Sequence, residues 1–179
     1  RNNVMKVLLG LLLIVGLVGC SNDKETSKTA GKEQTGDPVT SETLKVAYNS
    51  DPDTLDWSYT GATATRDVAW HIFEMLFALD KDYVAQPMLA QSYDVSEDGK
   101  TYTIKIREGV KFHDGSTLNA DDVVASIERW SKVSSVGKTT TKYIEAVTAS
   151  SESVVEIKLN TPYNSLIADF VAPKSALMI

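Results

Sequence analysis

Few side chains in this chain of 179 residues have the reactivity to catalyse a reaction or hold a metal. They are two histidines, one cysteine and a scatter of carboxylates and hydroxyls. His71 falls in a helical pattern and His113 beside Asp114 in a turn. Neither has a second ligand at the close spacing of a metal site, so both read as structural histidines. Asp51, Asp53 and Asp56 alternate like a calcium loop, but the sixth position, which needs Gly, is Asp56, and the twelfth, which needs Glu, is Ala62. Gly137-Lys138-Thr139 copies the end of a phosphate loop. The first glycine of that motif would fall at Lys132 and no strand leads in, so these residues read as part of a polar surface loop over residues 131–141. No Gly-x-Ser-x-Gly elbow occurs, which leaves a hydrolase without its machinery. No metal, no cofactor and no enzymatic activity are expected.

Cys20 has no partner for an internal disulfide, and its setting gives it a different chemistry. Arg1 and Lys6 precede an apolar run from Val7 to Val18. The run is shorter than the roughly 20 residues of a membrane span but suits the core of a signal peptide. It closes on Leu17-Val18-Gly19-Cys20, which resembles the bacterial lipobox. Small Gly19 admits the peptidase and Cys20 would carry the lipid, so residues 1–19 read as a leader and residues 20–42 as lipid attachment and tether. Residues 21–42 are polar apart from Ala30 and Val39 and cannot bury enough surface to offset their ordering entropy. The formal charge of −6 with no basic tract argues against nucleic-acid binding. The chain opens on Arg and ends Ala176-Leu177-Met178-Ile179 without a polar tail, the expectation for a piece of a longer protein.

The folded part is expected from residue 43 to residue 179. Leu44, Val46 and Tyr48 alternate with polar or small residues as in a strand. After a loop over residues 49–63, Thr63 or Thr65 can cap a helix whose stripe is Val68, Ile72, Phe73, Leu76 and Leu79. Asp80-Lys81-Asp82 is a turn. Residues 91–95 and 101–107 read as a hairpin, with Tyr102, Ile104 and Ile106 on the buried face, and residues 110–112 as resumed extended chain. The next helix has the best-marked start: Asn119 as N-cap, Asp122 in the capping box, and Leu118 with Val123 as a staple. Val123, Ile127 and Trp130 form its buried stripe. Residues 144–149 and 154–159 read as a second hairpin. Asn164 can cap a short helix that Pro173 ends.

The order of residues from Asp98 to Trp130 resembles the extracellular solute-binding proteins of family 5, the peptide- and nickel-binding subunits of ABC importers. Asp98, Gly99, Thr101, Tyr102, Arg107, Gly109, Val110, Phe112, Asp114, Gly115, Ala120, Asp122, Val123 and Arg129 match the family pattern in order, as do Leu55-Asp56, Phe73-Glu74-Met75-Leu76 and Pro87-Met88-Leu89-Ala90. Trp57 stands where the family usually has Pro, and Met75 where it usually has Gly.

The resemblance implies an α/β, two-lobed fold of the periplasmic-binding-protein type II class. Residues 43–79 would open the first lobe and residues 80–179 form much of its accessory subdomain. It implies a lipid-anchored, extracytoplasmic protein that captures oligopeptides and delivers them to a permease with its ATPase subunits. Tyr59, Thr60, Gly61, Ala62 and Thr63, with Trp57, would line the ligand cleft. Their backbone would pair with an extended peptide by strand addition, and Gly61 would allow close approach. The resemblance also puts Trp130 or Tyr143 near ligand, although the helix stripe makes Trp130 core. A nickel-binding member of the same family is the alternative, and a lipid-anchored hydrolase the reading from another class.

Overall fold

The computed structural model describes residues 44–179. Cys20, the leader and the tether lie outside the described residues. The elements in chain order are α1 (Thr63–Ala69), β1 (Phe77–Leu79), β2 (Ala85–Pro87), β3 (Ala90–Val95), β4 (Thr101–Ile106), α2 (Ala120–Val133), α3 (Ser135–Thr140), β5 (Ile144–Ser151), β6 (Val154–Leu159) and α4 (Leu166–Phe170).

The architecture is α/β. The four-stranded sheet runs β3-β4-β6-β5, antiparallel throughout, and β1 pairs with β2 in a separate ribbon. Both expected hairpins form. Their union does not follow from local pattern: β4 pairs with β6 across the intervening helices, with Tyr102 opposite Ile157 and Ile104 opposite Val155. The period of two in each strand then puts Tyr102, Ile104, Ile106, Val155, Ile157 and Leu159 on one buried face. The α2 stripe of Val123, Ile127 and Trp130 belongs to the same hydrophobic core. The capping box is complete: Asn119 Oδ1 accepts from Asp122 N, and Asp122 Oδ2 from Asn119 N.

Six expectations fail, several because a tertiary partner overrides or is missing from a local pattern. Leu44–Tyr48 is not a strand. Leu44, Val46 and Tyr48 are 86%, 61% and 46% exposed; alternation makes a strand only where a ladder and a burying face receive it. The first helix ends at Ala69 and does not reach Leu79. Phe77–Leu79 instead pairs with Ala85–Pro87, and α1 starts after Ala62 with no side-chain cap. Residues 110–112 make one isolated bridge, Lys111 to Thr117, and no strand. Residues 131–141 are largely helical, and Gly137 is the reason. A Cβ there would lie 2.3 Å from the Trp130 carbonyl oxygen, so only glycine lets α3 fold back onto the end of α2. Ser134 caps α3 by accepting from Gly137 N. Finally, α4 is preceded by Ser165, not Asn164, as N-cap residue, and makes no side-chain cap.

Candidate ligand-binding loop

Residues 55–63 run from the Leu55-Asp56 pair to the start of α1, and the structure braces them from several sides. Asp56 is the main fixture. Its Oδ1 accepts from Ser58 N at 3.2 Å, and its two carboxylate oxygens take the Arg129 guanidinium in a forked pair. The Asp56 carboxylate, as hydrogen-bond acceptor, holds Arg129 above the usual arginine value. Tyr59 N donates back to Asp56 O at 3.2 Å, which closes a turn. At the far end, buried Thr65 donates its hydroxyl to Thr54 O at 2.7 Å and ties the helix to the start of the loop.

Between these fixtures the backbone is open. Tyr59 is 76% exposed, Gly61 and Thr63 are exposed, and Thr60 and Ala62 are half-buried. Ala62 is extended, with φ −65° and ψ 132°. Its N–H is taken by the Thr60 hydroxyl at 3.2 Å. Among the described residues, no protein group pairs with the N–H of Thr60 or Gly61. Backbone donors without a protein partner, next to the extended residue Ala62, are what strand addition can use at a receiving edge. Gly61 is also a point of contact: a Cβ there would lie 3.6 Å from Lys174 O. The stretch Pro173-Lys174, read from sequence only as a helix stop, is thus brought beside the loop, with both residues exposed.

Trp57 does not share that exposure. At 2% exposed it packs with Ala69 and Ala176 in a small core, bordered by Phe73, Met75 and Met178. Its indole N–H is buried without a partner. Trp57 therefore supports the loop from beneath. Trp130 is buried too, its N–H donating to Ser175 O at 2.6 Å. Tyr143 stacks on Tyr163 with ring centroids 4.2 Å apart.

The two histidines, far apart in sequence, line one cleft of about 370 Å³ with Trp70, Glu74, Lys111 and Phe112. Sequence spacing hides this meeting, because the turn before β1 and the loop after β4 converge only in three dimensions. Among the described residues, no three His, Cys, Asp or Glu side chains come together as a metal site.

With this geometry in view, the comparisons with known proteins are specific. The family described as bacterial extracellular solute-binding proteins, family 5 Middle, matches residues 84–178. The glutathione-binding protein GsiB of Shigella boydii is 38% identical over 135 residues, covering 74% of this chain and 26% of the relative. The oligopeptide-binding protein AppA of Bacillus subtilis, solved with a nonapeptide, superposes with TM-score 0.59 at 27% identity, over 72% of this chain and 26% of that one. NikZ of Campylobacter jejuni, solved with Ni(L-His), gives TM-score 0.52 at 31% identity, over 60% and 22%. The chain spans about a quarter of the length of the curated relatives it matches. Its fold class is that of the two-lobed periplasmic binding proteins, of which these residues form a part.

Proposed function

The chain belongs to the bacterial extracellular solute-binding proteins of family 5, and from that premise we propose that the protein captures short peptides outside the membrane and delivers them to an ABC permease with its ATPase subunits. The observation that carries the peptide reading is the open backbone at Thr60-Gly61 on a loop fixed by Asp56–Arg129 and Thr65–Thr54. Main-chain donors held in an extended segment bind a peptide whatever its sequence, and side chains such as Tyr59 tune preference. Tyr59, Thr60, Gly61, Ala62 and Thr63 are the contact residues in this reading, with Trp57 as their support. The similarity to GsiB, named for a tripeptide, and to AppA, solved with a nonapeptide, supports peptides as the class. The similarity to NikZ, solved with Ni(L-His), supports a second reading in which a chelated metal is the cargo.

The same proposal extends to the parts of the chain outside the described residues. Residues 1–19 are removed as a leader, Cys20 carries the lipid, and residues 20–42 tether the binding domain to the membrane. In this reading residues 43–79 open the first lobe and residues 80–179 contribute its accessory subdomain.

Thermal melting of the full-length protein without its lipid tests the cargo. A ligand that binds only the folded form stabilises it by RT ln(1 + [L]/Kd), about 2.7 kcal/mol at a hundredfold excess over Kd. Glutathione, trialanine and nonapeptides are expected to raise the melting temperature, and Ni(L-His)2 to leave it unchanged. A rise with the nickel chelate alone would replace peptides by metal as the cargo.

A further inference from the structure

Strand addition asks more of a receiving wall than the donors at Thr60 and Gly61. An extended peptide carries an N–H for nearly every C=O, and a buried N–H left without an acceptor costs about as much as a lost hydrogen bond. The loop supplies the donors, and an acceptor reaches it from another part of the chain. The Lys174 carbonyl oxygen lies 3.6 Å from where a Cβ on Gly61 would sit. Among the described residues, no group donates to it.

The direction of that carbonyl is set by its neighbours. Lys174 C=O and Ser175 N–H belong to one planar trans peptide unit and point opposite ways. Ser175 N donates to Ala172 O at 2.9 Å, so the Lys174 oxygen is turned away from that turn. Ser175 is 6% exposed and held by three further contacts. Its carbonyl accepts from Trp130 Nε1 at 2.6 Å and from Ser134 Oγ at 3.4 Å, and its hydroxyl meets Ser135 Oγ at 2.9 Å. Adjacent residues of α2 thus grip both walls: Arg129 holds the loop through Asp56, and Trp130 holds the 172–175 turn through Ser175.

We infer that the Lys174 carbonyl is a second main-chain contact for the peptide, accepting one amide N–H beside the Thr60 and Gly61 donors, with Ser175, Trp130 and Ser135 as positioning residues. This role rests on the peptide reading above and narrows it to an amide, which both donates and accepts. A bare carboxylate or phosphate would meet the negative end of the carbonyl dipole, and an apolar ligand would leave all three groups unpaired.

The test is calorimetry on the full-length protein without its lipid. Trialanine and a nonapeptide are each made with an ester in place of one amide at a time, which removes one N–H and keeps the shape of the chain. One ester position is expected to bind wild type about tenfold more weakly than the amide. Trp130→Phe keeps a ring in the core and removes the donor to Ser175. Ser135→Ala removes the hydroxyl contact at an exposed position and is the gentler of the two. Both should weaken binding of the amide peptide and shrink the ester penalty to about threefold or less. A residue that served folding alone would lower the melting temperature and leave that ratio unchanged. Equal affinity for every ester and its amide would overturn the contact and leave the peptide reading standing. A tenfold ester penalty that both variants retain would put the acceptor elsewhere and overturn it too. No binding of either peptide by wild type would defeat the peptide reading and this contact together.

Discussion

The sheet of β3 to β6 with its helices and the stretch from Leu44 to Trp70 are made from equally apolar sequence, yet they treat their apolar residues in opposite ways. In the first, the alternation of β4 and β6 and the α2 stripe end in burial: Ile104, Val155, Ile157, Val123 and Ile127 are all enclosed, and only the edge strand β3 leaves Tyr93 and Val95 outward. In the second, Leu44, Val46, Tyr48, Leu55, Tyr59 and Trp70 face outward, and only Trp57, Thr65 and Ala69 are enclosed. Stability resides in the first region and openness to binding in the second. Strands that find partners within the described residues build a core, and a segment without them leaves backbone and side chains open to other molecules.

That contrast predicts a gradient of mutational effects, measurable by urea unfolding of the full-length protein. Trp130→Ala should be the worst. It removes a buried indole that packs on Phe170 and takes from Ser175 O the shorter of its two hydrogen bonds, a loss of about 3–5 kcal/mol. Gly137→Ala follows at about 1–3 kcal/mol, because its methyl must displace the Trp130 carbonyl. A neutral outcome there would mean that α3 is free to move off α2, and the contrast would weaken. Asn119→Ala should cost about 1 kcal/mol through loss of the capping box.

The loop should behave in reverse. Gly61→Val is expected to change stability by less than about 0.5 kcal/mol while lowering peptide affinity at least tenfold, read by calorimetry. Unchanged affinity would remove Gly61 from the contact surface. Arg129→Ala lies between the two, because its pair with Asp56 is partly exposed and screened. It should cost about 0.5–1 kcal/mol, with a larger effect on binding than on unfolding.

The smallest effect is one of pH. Burial pushes the Tyr102 and Tyr163 hydroxyls above the ordinary tyrosine value. The unfolded chain therefore loses these protons first as pH rises, and stability should decline above about pH 10. A urea midpoint that held constant there would place both hydroxyls in water-like surroundings.

Most of the core was legible from residue order. Tyr102, Ile104 and Ile106 announce a half-buried strand, and Asn119 with Asp122 announces a helix start, because both signals act over a few residues of chain. The pinning of the candidate loop was not legible. Leu55-Asp56 and Arg129 belong to one pattern, but nothing in their spacing says that the carboxylate and guanidinium meet. Helical periodicity after Thr63 was misleading for a related reason: Leu76 and Leu79 fit the stripe, yet pairing of Phe77–Leu79 with β2 offered that backbone a ladder.

Residue order therefore settled local, short-range features: the Asn119 cap, the turns, the period of two in β4 and β6, and the family order from Asp98 to Arg129. Tertiary structure alone decided the pairing of β4 with β6, the need for glycine at 137, the burial of Trp57 and the meeting of Gly61 with Lys174. Each of these depends on two segments far apart in the chain, and the free energy of such contacts exists only once the chain has closed the loop between them.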